Sequence, residues 1–116
     1  KNIGVDLENI NRNLNLERIL KSKWFKNDQK RISFVNKNDV KKEILKIWVI
    51  KEALVKSHSG SIIRDYDNWL IKNEGTAENH KLNIYRNITH KVIDNWMIGL
   101  AYDENIVFKP EKIEFL

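Results

Sequence analysis

Apolar and polar residues alternate with a period of two at the start of the chain. In "NIGVDLE", Ile3, Val5 and Leu7 fall on one face of an extended strand, and Gly4, Asp6 and Glu8 fall on the other. The period then changes. "NLERILKSKWF" spaces its apolar residues as a short helix does, with Asn15 placed to cap it. A second helix is predicted to start near Asn38 or Asp39, with Asn38 as its N-cap. It runs through "VKKEILKIWVIKEALVK" to about Ser57, and Gly60 stops it. Beyond it the pattern turns to strands: "YDNWLIK", a turn at "NEGTAENH", then "KLNIYRNIT" and "NWMIGLAYD", with one further strand in the tail "NIVFKPEKIEFL". A strand, then helices, then a run of strands predicts an α+β fold, an antiparallel sheet with helices packed on one face.

One position in the second helix breaks the pattern. At 100° per residue, Leu45, Trp48, Val49 and Lys56 all lie within about 60° of Glu52. The clearly polar arc is elsewhere, at Lys42, Glu43, Lys46 and Ser57. Glu52 and Lys56 therefore point where the apolar side chains point. The ordinary account is an i,i+4 Glu–Lys pair worth a few tenths of a kcal/mol. A carboxylate turned into an apolar face otherwise needs a partner, because burying it unpaired costs several kcal/mol.

Composition narrows the classes. The 116 residues, 41% hydrophobic and 32% charged, suit a single globular domain over 1–116 with a real core. One proline and four glycines leave no flexible linker to mark, and no internal repeat is visible. No apolar run approaches a membrane span and no signal peptide is present. The absence of cysteine excludes disulfides and thiolate metal sites and agrees with a reducing, cytoplasmic setting. The net charge of +5 favours an anionic partner, whether nucleic acid, a phosphorylated cofactor or an acidic protein. The high Lys, Asn and Ile content follows equally from an AT-rich genome. The chain opens at Lys1, without a methionine, and enters a strand at once, as a fragment or processed piece would.

Asp6 and Glu8, two apart on a strand, project from one face about 7 Å from each other, within reach of one ion. Such acidic pairs are also common as incidental features of strand ends. Glu52 comes 44 residues after Glu8, on a helix that would pack on that strand. Three hard oxygen donors suit Mg²⁺, which completes its octahedron with water and substrate phosphate. Lys56, one turn beyond Glu52, would hold a phosphate as a point charge. Together these residues make the equipment of metal-assisted phosphoryl transfer. His58, His80 and His90 show no metal-ligand spacing and read as solvated or structural. Trp24, Trp48, Trp69 and Trp96 lie on separate elements and read as core. No Gly-rich phosphate loop, recognisable Ser-His-Asp arrangement or HExxH motif appears.

"IGVDLE" followed by "IWVIKEALVK" resembles the 4′-phosphopantetheinyl transferases, whose signature is a G-[VI]-D-[LIV]-E strand and, some forty residues on, W-x-x-K-E-[AS]-x-x-K. The matching residues here are Gly4, Val5, Asp6, Leu7 and Glu8, then Trp48, Lys51, Glu52, Ala53 and Lys56. The resemblance covers residues 3–57 well and the later strands loosely, and it is closer to the C-terminal half of the larger, surfactin-synthetase-activating type than to the short trimeric synthases. It implies one pseudo-repeat of that fold, a half-enzyme completed by a second half-domain or by homo-oligomerisation. The larger type's Ser-His motif and basic adenine-side residues cannot be placed in this chain. "NITH", ending at His90, is similar to a Ser/Thr-His motif of the short type, while the usual G-x-G after the last Lys is replaced by "SHSGSI".

The resemblance implies transfer of 4′-phosphopantetheine from coenzyme A to a serine of an acyl or peptidyl carrier protein, a holo-[acyl-carrier-protein] synthase activity. Asp6, Glu8 and Glu52 would hold Mg²⁺. Glu52, directly or through water, would be the base, and Lys56, with Lys51 of the same motif, would contact the cofactor. Carrier proteins are acidic, which suits a basic chain. Two other classes remain open. A metal-dependent nuclease of the ribonuclease-H kind would need more acids on later strands, where Asp103 and Glu104 are the candidates. A non-catalytic basic binding module would need none of these residues.

Overall fold

The computed structural model describes residues 2–58, 68–72 and 75–103. Among them are strands β1 (Ile3–Asn9), β2 (Trp69–Ile71), β3 (Thr76–Asn79), β4 (Ile84–Ile93) and β5 (Trp96–Tyr102), and helices α1 (Leu16–Leu20), α2 (Gln29–Ser33) and α3 (Val40–Lys56). The strands form one antiparallel sheet in the order β1-β5-β4-β3-β2, so the first strand pairs with the last one described. This is the α+β arrangement that the sequence pattern predicts.

The local chemistry of the helices matches expectation at the first cap and differs after it. Asn15 does cap α1, its Oδ1 accepting from the Arg18 N–H at 3.1 Å. The helical reading of "KSKWF" becomes a separate 3₁₀ turn at Lys23–Phe25, followed by α2, which the sequence pattern did not reveal. Asn38 does not cap α3: it lies in a 3₁₀ turn, Lys37–Asp39, and Asp39 takes the cap position without a side-chain bond. Gly60, the start of "YDNWLIK" and the tail strand lie outside the described residues.

Two strands also differ. Thr76–Asn79, read as part of a turn, is β3 and pairs with β2 on one side and β4 on the other. Its four residues carry no β-branched or aromatic run beyond Thr76, so neighbours on both sides, and not intrinsic preference, make it a strand. β4 continues past Thr89 to Ile93 and turns into β5 through Asp94, whose φ of +53° supplies the left-handed residue such a tight hairpin needs.

Helix α3 lies across the inner face of β1 and β5, on the face of Gly4, Asp6 and Glu8. The approach is so close that a β-carbon on Gly4 would stand 1.8 Å from the Ala53 carbonyl oxygen, and one on Gly99 would stand 2.6 Å from the Val49 backbone. Val49 and Ala53 are one turn apart on α3, and Asp6 pairs with Gly99 across the sheet. The two glycines therefore fix both the height and the heading of the helix. The core under it is built from Phe25, Ile44, Leu45, Ile47, Leu54, Trp69 and Met97, with Trp24 and Trp48 packed against it. Trp96 departs from the core reading: it is 45% exposed on the outer face, as are Ile3, Val5 and Leu7 at 43–45%.

Candidate functional site

The polar row of β1 meets the last turns of α3. Lys56 reaches across from the helix and its Nζ donates to Asp6 Oδ1 at 2.9 Å, joining residues 50 apart in sequence. The lysine side chain is 52% exposed, while that of Asp6 is only 12% exposed. Burial pushes the Asp6 carboxyl above its ordinary value. The Lys56 hydrogen bond and charge pull it back, and the nearby Glu52 and Glu8 carboxylates push it up again. The other two acids expected at the site thus lie close enough to act on Asp6.

Each is also engaged individually. Glu8 Oε1 accepts from Arg12 Nη1 at 2.7 Å. Glu52 is half-buried on α3 immediately before Ala53, the residue that sits on Gly4. As the side chains lie, no group of three His, Asp or Glu among the described residues converges tightly enough to hold a metal ion. The donors nevertheless fit one. Asp6 Oδ2 is buried and has no hydrogen-bond partner, an arrangement that costs free energy until a proton or a cation meets it. Carboxylate oxygens are the ligands that Mg²⁺ prefers. Two of these acids are paired with basic side chains that are about half-exposed, Asp6 with Lys56 and Glu8 with Arg12.

Lys51 stands apart from this group. It is 1% exposed; its Nζ lies 2.5 Å from Asp28 Oδ2, donates to the Trp24 carbonyl, and sits 5.6 Å from the centre of the Phe25 ring. The side chain leaves α3 toward the segment that holds the 3₁₀ turn and α2, so the ammonium that the sequence motif would place on a cofactor is enclosed by the core.

His90 shares the inner row of the sheet with Asp6, one on each side of Gly99. With Arg31, Lys46 and Lys72 it lines a cavity of about 360 Å³ near the start of α3. Partial burial holds its imidazole below the usual value; Lys46 and Lys42 add to this and Glu43 opposes it. Asp103, a candidate acid for nuclease chemistry, is at the far end of β1. The Asn2 N–H donates to it at 2.8 Å and lowers its pKa, and Arg86 pairs with it at 3.1 Å. Glu104 lies outside the described residues.

Three contacts escaped the sequence reading. Arg12 is four residues from Glu8, a spacing that signals contact only on a helix. Here a turn brings it back, closed by Arg12 N–H to the Asn9 carbonyl at 3.0 Å. Ser57, expected on the polar arc of α3, is buried; its Oγ donates to the Leu54 carbonyl at 2.6 Å and accepts from Arg86 Nε at 3.2 Å. Asp28, the partner of Lys51, carries no sequence signal at all.

A family model of the 4′-phosphopantetheinyl transferase superfamily matches residues 2–101. No curated protein matches the chain.

Proposed function

Because the chain belongs to the 4′-phosphopantetheinyl transferase superfamily, we propose that it forms the metal-binding half of an enzyme that moves 4′-phosphopantetheine from coenzyme A to a carrier-protein serine. The observation that carries this reading is the Lys56–Asp6 bond. It links one residue from each half of the sequence signature at the C-terminal end of α3, which supports reading the two halves as one site.

In the proposed reaction the serine hydroxyl oxygen attacks the pyrophosphate phosphorus nearer the pantetheine. A P–O bond forms to serine, and the P–O bond to adenosine 3′,5′-bisphosphate breaks. Glu52 accepts the hydroxyl proton. Asp6, Glu8 and Glu52 would hold Mg²⁺, which supplies charge neutralisation on the pyrophosphate. Lys56, on the exposed rim, would leave Asp6 and place its ammonium on the phosphate. Lys51, enclosed by Asp28, serves the fold and not the phosphate. The basic chain would attract an acidic carrier.

The direct test is mass spectrometry of an apo carrier protein incubated with the assembled enzyme, coenzyme A and Mg²⁺, the isolated chain being expected to act poorly by itself. The expected result is a gain of one phosphopantetheine on the carrier serine that disappears with a chelator. Binding of coenzyme A without any dependence on Mg²⁺, Asp6 or Glu52 would remove the metal-assisted reading.

A further inference from the structure

Among the described residues, Arg12 is a basic side chain at this site that the proposed reaction does not use. Its Nη1 lies 2.7 Å from Glu8 Oε1, and the Glu8 side chain is only 19% exposed while that of Arg12 is 49% exposed. The backbone holds the arginine in place: Ile10 N–H donates to the Asn95 carbonyl at 2.8 Å and Arg12 N–H to the Asn9 carbonyl at 3.0 Å. Asn9 Oδ1 also accepts from the Asn11 N–H at 2.8 Å. The turn is therefore fixed, and the half-exposed guanidinium extends from a fixed root. Glu8 faces the same side of β1 as Asp6, whose second oxygen is buried without a partner. A cation gathering both carboxylates must compete with Arg12 for Glu8.

We propose that Arg12 is a displaceable clasp on Glu8: a positioning residue that holds the carboxylate away from Asp6 until a divalent cation displaces it. This rests on the reading of Asp6, Glu8 and Glu52 as the metal site. The clasp lowers metal affinity by the fraction of molecules in which Glu8 is engaged. For a partly exposed pair this is a factor of about three to six. Mutual exclusion is reciprocal: the cation releases Arg12 to the solvent as firmly as Arg12 resists the cation. Arg12 also lines a cavity of about 410 Å³ with Leu14, Arg18 and Trp48, whose lining does not include Glu8, so the released guanidinium has space to enter.

The test is Mn²⁺ titration of the full chain followed by electron paramagnetic resonance of the free ion, with no coenzyme A present. Arg12→Ala is expected to bind Mn²⁺ about three- to six-fold tighter than wild type. Arg18→Ala removes the same charge from the same rim without touching a carboxylate, and should change affinity less. Equal gains in the two variants would reduce the effect to general electrostatics and overturn the clasp, as would an unchanged or weaker affinity in Arg12→Ala. In wild type, the Arg12 Nε–Hε resonance should shift along the Mg²⁺ binding curve while that of Arg18 stays still. A stationary Arg12 signal would also overturn it. Asp6→Asn separates the two readings. If it leaves Mn²⁺ affinity untouched, or if wild type binds no Mn²⁺, the metal site itself fails. If it weakens binding while Arg12→Ala gains nothing, only the clasp fails.

Discussion

Lys51 and Lys56 are the same residue type on the same helix, five positions apart, and each pairs with an aspartate. Their settings are opposite. Lys51 and Asp28 are each 2% exposed at the side chain, whereas Lys56 is 52% exposed above a mostly covered Asp6. A buried pair gives little net stability relative to apolar replacements, but its loss on one side alone is severe, so it fixes a geometry. A half-exposed pair is weak and easily exchanged, so it suits a side chain that must change partners. The first lysine anchors α3 to the segment beneath it; under the proposed function the second would leave Asp6 for a phosphate. The motif spacing W-x-x-K-E-x-x-x-K thus puts Lys51 on one side of α3 and Glu52 with Lys56 on another, which under the proposed function separates an anchor from a base and a phosphate ligand.

The largest effect should come from breaking the anchor. Lys51→Met alone leaves Asp28 buried without its cation and should cost about 3–5 kcal/mol. Adding Asp28→Leu should recover most of that loss, since two apolar side chains can replace a buried pair at little cost. Urea unfolding with an unchanged slope measures both. A single-mutant loss below about 1 kcal/mol would mean that Lys51 can swing out of the core, and would return it to the list of cofactor contacts.

A second perturbation acts on the other end of α3. Gly4→Ala sets a methyl against the Ala53 carbonyl, and overpacking of this kind typically costs about 1–3 kcal/mol. Because the strain is under Ala53, it should lift the Lys56 end of the helix and leave the Lys51 anchor in place. The expected signature is a weakened metal site in a protein whose Trp24 and Trp48 environment, read by near-ultraviolet circular dichroism, is unchanged. Equal disturbance at both ends would show that α3 moves as one rigid unit.

How much of this could be read from the sequence depended on whether the signal was local. The alternation of β1 and the polar intrusion in α3 are local, and both led to Asp6, Glu8, Glu52 and Lys56. The direction of β1 was legible only through its acids. Its apolar row, Ile3, Val5 and Leu7, faces away from the helix, against the usual inward rule, because only glycine lets α3 approach at positions 4 and 99. The partners were not legible. Asp28 meets Lys51 from 23 positions away, across α2 and the first turns of α3, and Arg12 reaches Glu8 through a turn that periodicity does not describe. β3 was missed because its pairing is supplied by its neighbours. His90 was read as structural or solvated, and the structure adds a basic cavity around it that no spacing rule would reveal.

Lys56→Ala should separate stability from activity. If the lysine only pairs with Asp6 and Glu52, its removal costs under about 0.5 kcal/mol and hardly changes turnover. As a phosphate ligand its charge-assisted bond is worth about 1.5–3 kcal/mol, roughly a ten- to hundred-fold loss in kcat/KM in the assembled enzyme. Lys56→Arg should restore only part of it, since a planar fork does not reproduce a point charge. Wild-type kinetics in Lys56→Ala would make the two lysines alike in being structural, and the contrast between them would collapse.

The smallest effect concerns the partner of the mobile lysine. In chelator, with no metal to consider, burial keeps the Asp6 carboxyl above its ordinary value of 3.8 despite Lys56. A raised folded-state value means that between the unfolded and folded values the native protein binds more protons than the unfolded chain. The Asp6 contribution to stability therefore falls as pH rises through that window and stays low at neutral pH. Asp6→Asn removes the titration, so the stability of wild type minus that of the variant should decrease from about pH 4 upward and then level off. At pH 7 the variant should be as stable as wild type or slightly more so, because the exposed Lys56 pair it loses is weak. Urea midpoints measured across pH supply the difference curve. A curve that rises with pH would mean that Lys56 outweighs burial and holds Asp6 ionised. That pair would then be a second anchor, and the exchange of Lys56 from carboxylate to phosphate would have to overcome a barrier the present geometry does not suggest.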